Sequence, residues 1–148
     1  MNQVNAGLYK AYSRANHTVS KTRQVVMLYD GAIRFLQQAY EAIEKKDYEL
    51  RYNKLTRAAD IMVGLQSCLD FDAGGPSARA LYDFYSSVEM KIFTLHRTND
   101  LAACQALISE VKEMRDVWDA IDRADEKKAQ GAEEKPAAPT ADPTTVSA

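Results

Sequence analysis

Residues 21–46 read KTRQVVMLYDGAIRFLQQAYEAIEKK, and the spacing of their apolar side chains decides the fold class. Val25, Leu28, Tyr29, Ala32, Phe35, Leu36, Ala39 and Ile43 recur at intervals of three and four. At about 100° per residue this places them on one side of an α-helix. Ser20 stands directly before the run and reads as its N-cap, because its hydroxyl can accept from a free amide of the first turn. Three further stretches carry the same rhythm. Asp47 caps a second helix over about Tyr48–Leu69, with Tyr52, Leu55, Ala58, Ala59, Met62, Leu65 and Leu69 on one side. The run Asp70-Phe71-Asp72-Ala73-Gly74-Gly75-Pro76 breaks it, glycine stopping one helix and proline opening the next. A third helix, about Pro76–Arg97, aligns Leu81, Phe84, Tyr85, Val88, Ile92 and Leu95, and Thr98-Asn99-Asp100 turns the chain into a fourth. There Cys104, Leu107, Val111, Met114, Trp118 and Ile121 line up, ending near Asp125.

Almost nothing alternates with the period of two that a strand needs. Connections this short make consecutive helices antiparallel. The expected fold is all-α, an antiparallel up-down-up-down four-helix bundle over residues 20–126, with a flexible N-terminal arm (1–19) and a disordered C-terminal tail (127–148). The tail, KKAQGAEEKPAAPTADPTTVSA, has no aromatic residue and too little apolar surface to offset the entropy of ordering. The arm is mostly polar yet carries Val4, Leu8, Tyr9, Tyr12 and Val19, enough to lie on a groove.

Composition narrows the function classes. A chain of 148 residues, 46% hydrophobic, fills one core of ordinary size. Its 19 basic residues are interspersed with 21 acidic ones for a net charge of −2, so there is no excess of cations for nucleic acid. No run approaches the roughly 18 to 20 apolar residues of a membrane span, and the first residues lack the order of a signal peptide, so a cytoplasmic protein without membrane insertion is expected. Cys68 and Cys104 both fall in helical stretches and read as small buried hydrophobes in preference to a disulfide.

Catalytic chemistry finds no foothold. Di-iron bundles use Glu-x-x-His pairs, but Arg14 precedes His17 by three and Phe93 precedes His96 by three. Gly74-Gly75-Pro76 lacks the Gly-Lys-Ser/Thr ending of a phosphate loop. No Cys-x-x-Cys occurs, and Glu133-Glu134 sits in the tail, where burial cannot raise a pKa. The expectation is a protein with no catalytic residue, no metal and no cofactor, and hence not an enzyme.

The informative feature is surplus apolar perimeter. Val26, Ile33 and Tyr40 widen the first helix's arc to about half the circumference, beyond the roughly 100° that a core demands. Leu50, Ile61 and Cys68 repeat this on the second helix, Tyr82 and Phe93 on the third, and Leu101 and Ile108 on the fourth. Such flanks predict apolar grooves covered by a partner helix, by a second copy, or by the arm with Leu8, Tyr9 and Tyr12.

One segment is more specific. Ser20 to Leu36, and above all Met27-Leu28-Tyr29-Asp30-Gly31-Ala32-Ile33-Arg34-Phe35-Leu36, resembles the start of the first helix in the flagellin export chaperones, the FliS family. Ala42-Ile43-Glu44-Lys45-Lys46-Asp47, Ala59-Asp60-Ile61-Met62, Leu81-Tyr82-Asp83-Phe84-Tyr85 and Met114-Arg115-Asp116-Val117-Trp118 extend the likeness over about residues 9 to 121. Lys21 and Arg23 depart from the Pro and Glu common after the capping serine in that family. The resemblance implies a cytosolic bundle that holds the C-terminal helical region of flagellin, prevents early polymerisation and delivers it to the flagellar export machinery. It also implies an arm able to lie over the binding surface and move aside. On this reading Tyr9, Tyr12, Val26, Ile33, Tyr40, Ile61, Tyr82 and Ile108 wall the flagellin-binding groove. Met27, Leu28, Tyr29, Asp30, Gly31, Arg115 and Trp118 form a family signature in the core or at its edge, with Gly31 marking a close helix approach. The alternative is a self-associating structural or regulatory adaptor, a homodimer through the same flanks without a client.

Overall fold

The computed structural model describes residues 7, 8, 10–12 and 19–133. Four long helices carry the fold: α1 (Lys21–Glu44), α2 (Tyr48–Ser67), α3 (Phe71–Thr98) and α4 (Leu101–Glu133). No strand occurs among the described residues, and the four form the expected antiparallel bundle. Their boundaries are set locally. Ser20, Asp47, Asp70 and Asp100 each accept, through a side-chain oxygen, from the backbone N–H three residues on, at 3.0 to 3.1 Å. At the end of α1, Lys46 takes a left-handed conformation (φ 57°). Its amide donates to Ile43 O at 3.0 Å and that of Asp47 to Ala42 O at 2.8 Å, the paired bonds that satisfy a helix's last carbonyls. Asn99 (φ 53°) ends α3 with one such bond, to Leu95 O at 3.1 Å.

Two boundaries differ from expectation. Asp70 starts α3 at Phe71, ahead of Pro76, and the break becomes a kink at Gly75, whose φ of 50° and ψ of −127° only glycine adopts without strain. The fourth helix runs to Glu133, past Asp125. Residues 127–133, expected in the tail, are strong helix formers apart from Gly131 and continue the helix without burying anything. Residues 134–148, the remainder of the expected tail, lie outside the described residues.

Helix α1 lies between α2 and α4, α2 also packs on α3, and α3 and α4 touch each other only lightly. Being flanked on both sides, α1 buries a wide arc: Val25, Val26, Tyr29, Ala32, Ile33, Leu36, Ala39 and Ile43. A polar seam fastens its start to α4. Asp122, buried, accepts from Ser20 Oγ at 2.9 Å and Thr22 Oγ1 at 3.1 Å. Arg23 stands 3.7 Å from Asp119 and 3.9 Å from Asp122. The first turn of α1 has no acidic residue of its own, so Asp122 supplies from α4 the negative charge that a helix N-terminus favours. Further along, Arg115 Nε donates to Asp30 at 2.8 Å, and this bond raises the guanidinium pKa above its ordinary value. Both side chains are partly exposed, so the pair orients the helices more than it stabilises them.

Gly31 faces α2, where a Cβ would meet Ile61 Cδ1 at 3.4 Å, an ordinary contact. Gly31→Ala should therefore raise stability by about 0.5 kcal/mol through helix propensity, read as a higher urea midpoint at unchanged slope.

Candidate binding groove

On the outer side of α2 and α3 an open apolar groove of about 640 Å³ runs along the bundle. Tyr82, Met90 and Phe93 share a stripe of α3, Ala59 of α2 and Ile92 complete the apolar lining, and Gln66, Ser86, Glu89 and His96 supply its polar part. Phe93 and Met90 remain 70% and 65% exposed, unusual for side chains that gain about 1.5 to 3 kcal/mol each when fully buried. Gln66 Nε2 donates to Ser86 Oγ at 2.8 Å and to Tyr82 O at 3.1 Å, holding the two helices in register. Phe71 meets Tyr82 in a tilted contact at 5.9 Å, and Tyr52 meets His96 at 5.3 Å, extending the aromatic surface. Burial pushes the Glu89 carboxyl up. Burial and the charge of Arg51 push the His96 imidazole down. Both shifts run toward the neutral form, as a poorly solvated surface requires.

A second seat, between α3 and α4, is filled by the chain's own arm. Ala11 rests on Gly74, and Gly7 lies against Ser77. The Asp70 amide donates to Ala11 O at 2.8 Å. Leu8 and Tyr12 are buried, and the Tyr12 ring packs edge-on to Trp118 at 5.4 Å. The Tyr12 hydroxyl lies 2.6 Å from that of Tyr85, to which Tyr29 donates at 3.0 Å. Loss of solvation holds all three phenols above their ordinary pKa, so they stay protonated as a neutral hydrogen-bonded cluster.

The eight expected groove residues separate. Tyr82 lines the open groove and Tyr12 the arm seat, while Tyr9 lies outside the described residues. Val26, Ile33 and Ile108 are buried in the core and cannot wall an open groove in this form; the surplus arc of α1 is hidden because helices cover it on both sides. Tyr40 and Ile61 are half-buried at the core edge. Of the signature, Tyr29 and Trp118 are core, Asp30 pairs with Arg115, and Gly31 faces Ile61. Met27 and Leu28 are exposed, 57% and 44%, in place of the expected core positions. Tyr52, expected on the core face, is 58% exposed. Cys104 is buried, its thiol pushed up to about 11 by loss of solvation, whereas Cys68 is exposed and both are free. Met90 was legible but missed: with Tyr82 and Phe93 it completes an i, i+8, i+11 stripe on one helix face.

Among the described residues no helix is long and apolar enough to cross a membrane. Bundle, groove and seated arm define a small all-helical protein with an apolar surface that its own core does not use. The family model described as "Flagellar protein FliS" matches residues 4–125, and the chain belongs to that family. It is similar to the flagellar secretion chaperone FliS of Vibrio cholerae, 28% identical over 120 residues that span 78% of this chain and 88% of the relative. The protein of the same name from Campylobacter jejuni is 27% identical over 74% of this chain and 87% of its own length. That of Bacillus subtilis is 26% identical over 83% and 92%.

Proposed function

We propose that this chain is a cytoplasmic export chaperone that binds the C-terminal helical region of flagellin, prevents its premature polymerisation and delivers it to the flagellar type III export apparatus. Membership of the FliS family and three relatives named flagellar secretion chaperones support the reading. The structural observation that carries it is the α2–α3 groove, where Phe93, Met90 and Tyr82 are left unburied. A client helix laid there covers these side chains and hides its own apolar face, the face otherwise free to meet another flagellin subunit. The gain from burial opposes the entropy of ordering the client. The chemistry is association, with no bond made or broken.

Calorimetric titration with a flagellin C-terminal peptide should give one-to-one binding with a large negative heat-capacity change. Phe93→Asp should weaken it by at least about tenfold, from the lost burial of one aromatic ring, with helicity unchanged. Absence of binding by the folded chain, accompanied by a tight dimer in sedimentation, would replace the chaperone reading with self-association.

A further inference from the structure

The three phenols of the arm seat form a chain with a fixed proton order. Tyr29 donates to the Tyr85 oxygen at 3.0 Å, and Tyr12 donates to Leu65 O at 3.5 Å. The Tyr85 proton is thus left for the Tyr12 oxygen at 2.6 Å. Leu65 O needs such a donor: it lies in the last turn of α2, and the Leu69 amide, four residues on, goes to Gln66 O instead. One hydroxyl at the tip of Tyr12 therefore accepts and donates at once. Around the ring the fit is close: a Cβ on Gly74 would stand 2.7 Å from Ala11 Cα, and one on Gly7 would strike Ser77.

We propose that the seat selects, from a client, a helical segment with small residues four apart followed directly by a tyrosine, as in Gly7-Leu8-Tyr9-Lys10-Ala11-Tyr12, and that the Tyr85 hydroxyl is the specificity-determining group. It rests on the client reading above, since a polypeptide must take the arm's place. A phenylalanine at the key position would fill the ring's space but leave the Tyr85 proton and Leu65 O unpaired in the core, a loss that ordinary apolar burial does not recover. A serine would reach neither the ring's volume nor the depth of its hydroxyl.

The probes are two synthetic peptides of residues 1–19, one natural and one with Tyr12→Phe, titrated into the full chain carrying Tyr12→Ala. Tyr12→Ser serves as a second host if the first loses helicity. Fluorescence of Trp118, the chain's single tryptophan, reports occupancy. The natural peptide should bind about tenfold tighter than its phenylalanine counterpart, and the preference should vanish when the host also carries Tyr85→Phe. Equal affinities, a preference that survives Tyr85→Phe, or no binding of either peptide overturns the proposal. A flagellin C-terminal peptide in the same hosts separates the two readings. Its silence beside discriminating arm peptides sinks the chaperone function alone. Its binding unchanged by Tyr85→Phe sinks the hydroxyl selection alone.

Discussion

Gly74→Ala should drive the N-terminal arm off the bundle while leaving the four helices folded. The added methyl would lie 2.7 Å from Ala11 Cα and 2.9 Å from both Ala11 Cβ and Ala78 Cβ, and a backbone atom cannot rotate away as a side-chain tip can. The contact with Ala78 lies within α3, beside the kink at Gly75 where the helix can adjust locally, and the two contacts with Ala11 fall on the arm. What the arm loses is the burial of Leu8 and Tyr12, each side chain worth about 1.5 to 3 kcal/mol. That gain is opposed by roughly 1 to 2 kcal/mol per ordered residue, so its net hold is small and one clash is enough to release it. Trp118 emission should shift as the Tyr12 ring leaves, and the Asp70 amide, bonded to Ala11 O, should exchange with solvent far faster. If the arm competes with the client, apparent client affinity should rise about tenfold, by the fraction of molecules no longer closed. Unchanged exchange at Asp70 would mean that the arm tolerates the methyl.

The same substitution at two expected groove residues should give opposite results. Ile33→Asp places a carboxylate among Val26, Leu36 and their neighbours at a site only 7% exposed. A charge buried in this apolar cluster should cost about 3 to 5 kcal/mol, enough to unfold a domain of this size at moderate temperature. Tyr82→Asp changes a side chain 39% exposed at the rim of the open groove, so stability should move by no more than about 1 kcal/mol while client binding weakens. Thermal unfolding followed by circular dichroism, run beside the titration, distinguishes the two. Equal stabilities would show that Ile33 is not the core residue its burial makes it.

Local chemistry was readable from the sequence alone. Ser20 and Asp47 cap their helices as the spacing required, because a cap depends on three or four neighbouring residues. The bundle was readable too, since the 3.6-residue rhythm and the short turns leave few other closures. What failed was deciding which neighbour covers a flank. Val26 and Ile33 lie beside the core stripe just as Tyr82 does on its own helix. They are buried because α1 is the inner helix, and Tyr82 is open because α3 stands at the edge of the set. That distinction depends on lateral order among helices, which periodicity does not encode. Met27 and Leu28 mislead in the other direction, apolar within the signature yet on the surface. The arm's seat needed both kinds of information. Tyr12 was recognisable as an anchor, but its partners Tyr85, Leu65 and Trp118 lie 73, 53 and 106 positions away and meet only in the fold.

The seam around Asp122 has a kinetic side. Ser20 is fastened to α4, so a released Tyr12 stays within about 28 Å of that anchor, the reach of eight extended residues. A tether that short keeps the displaced tyrosine at an effective concentration in the millimolar range, far above that of any free competitor in a cell. If a client takes the arm's place as proposed, the vacancy it leaves would refill from within the same molecule before a stranger enters, and each round of loading would begin from the closed state.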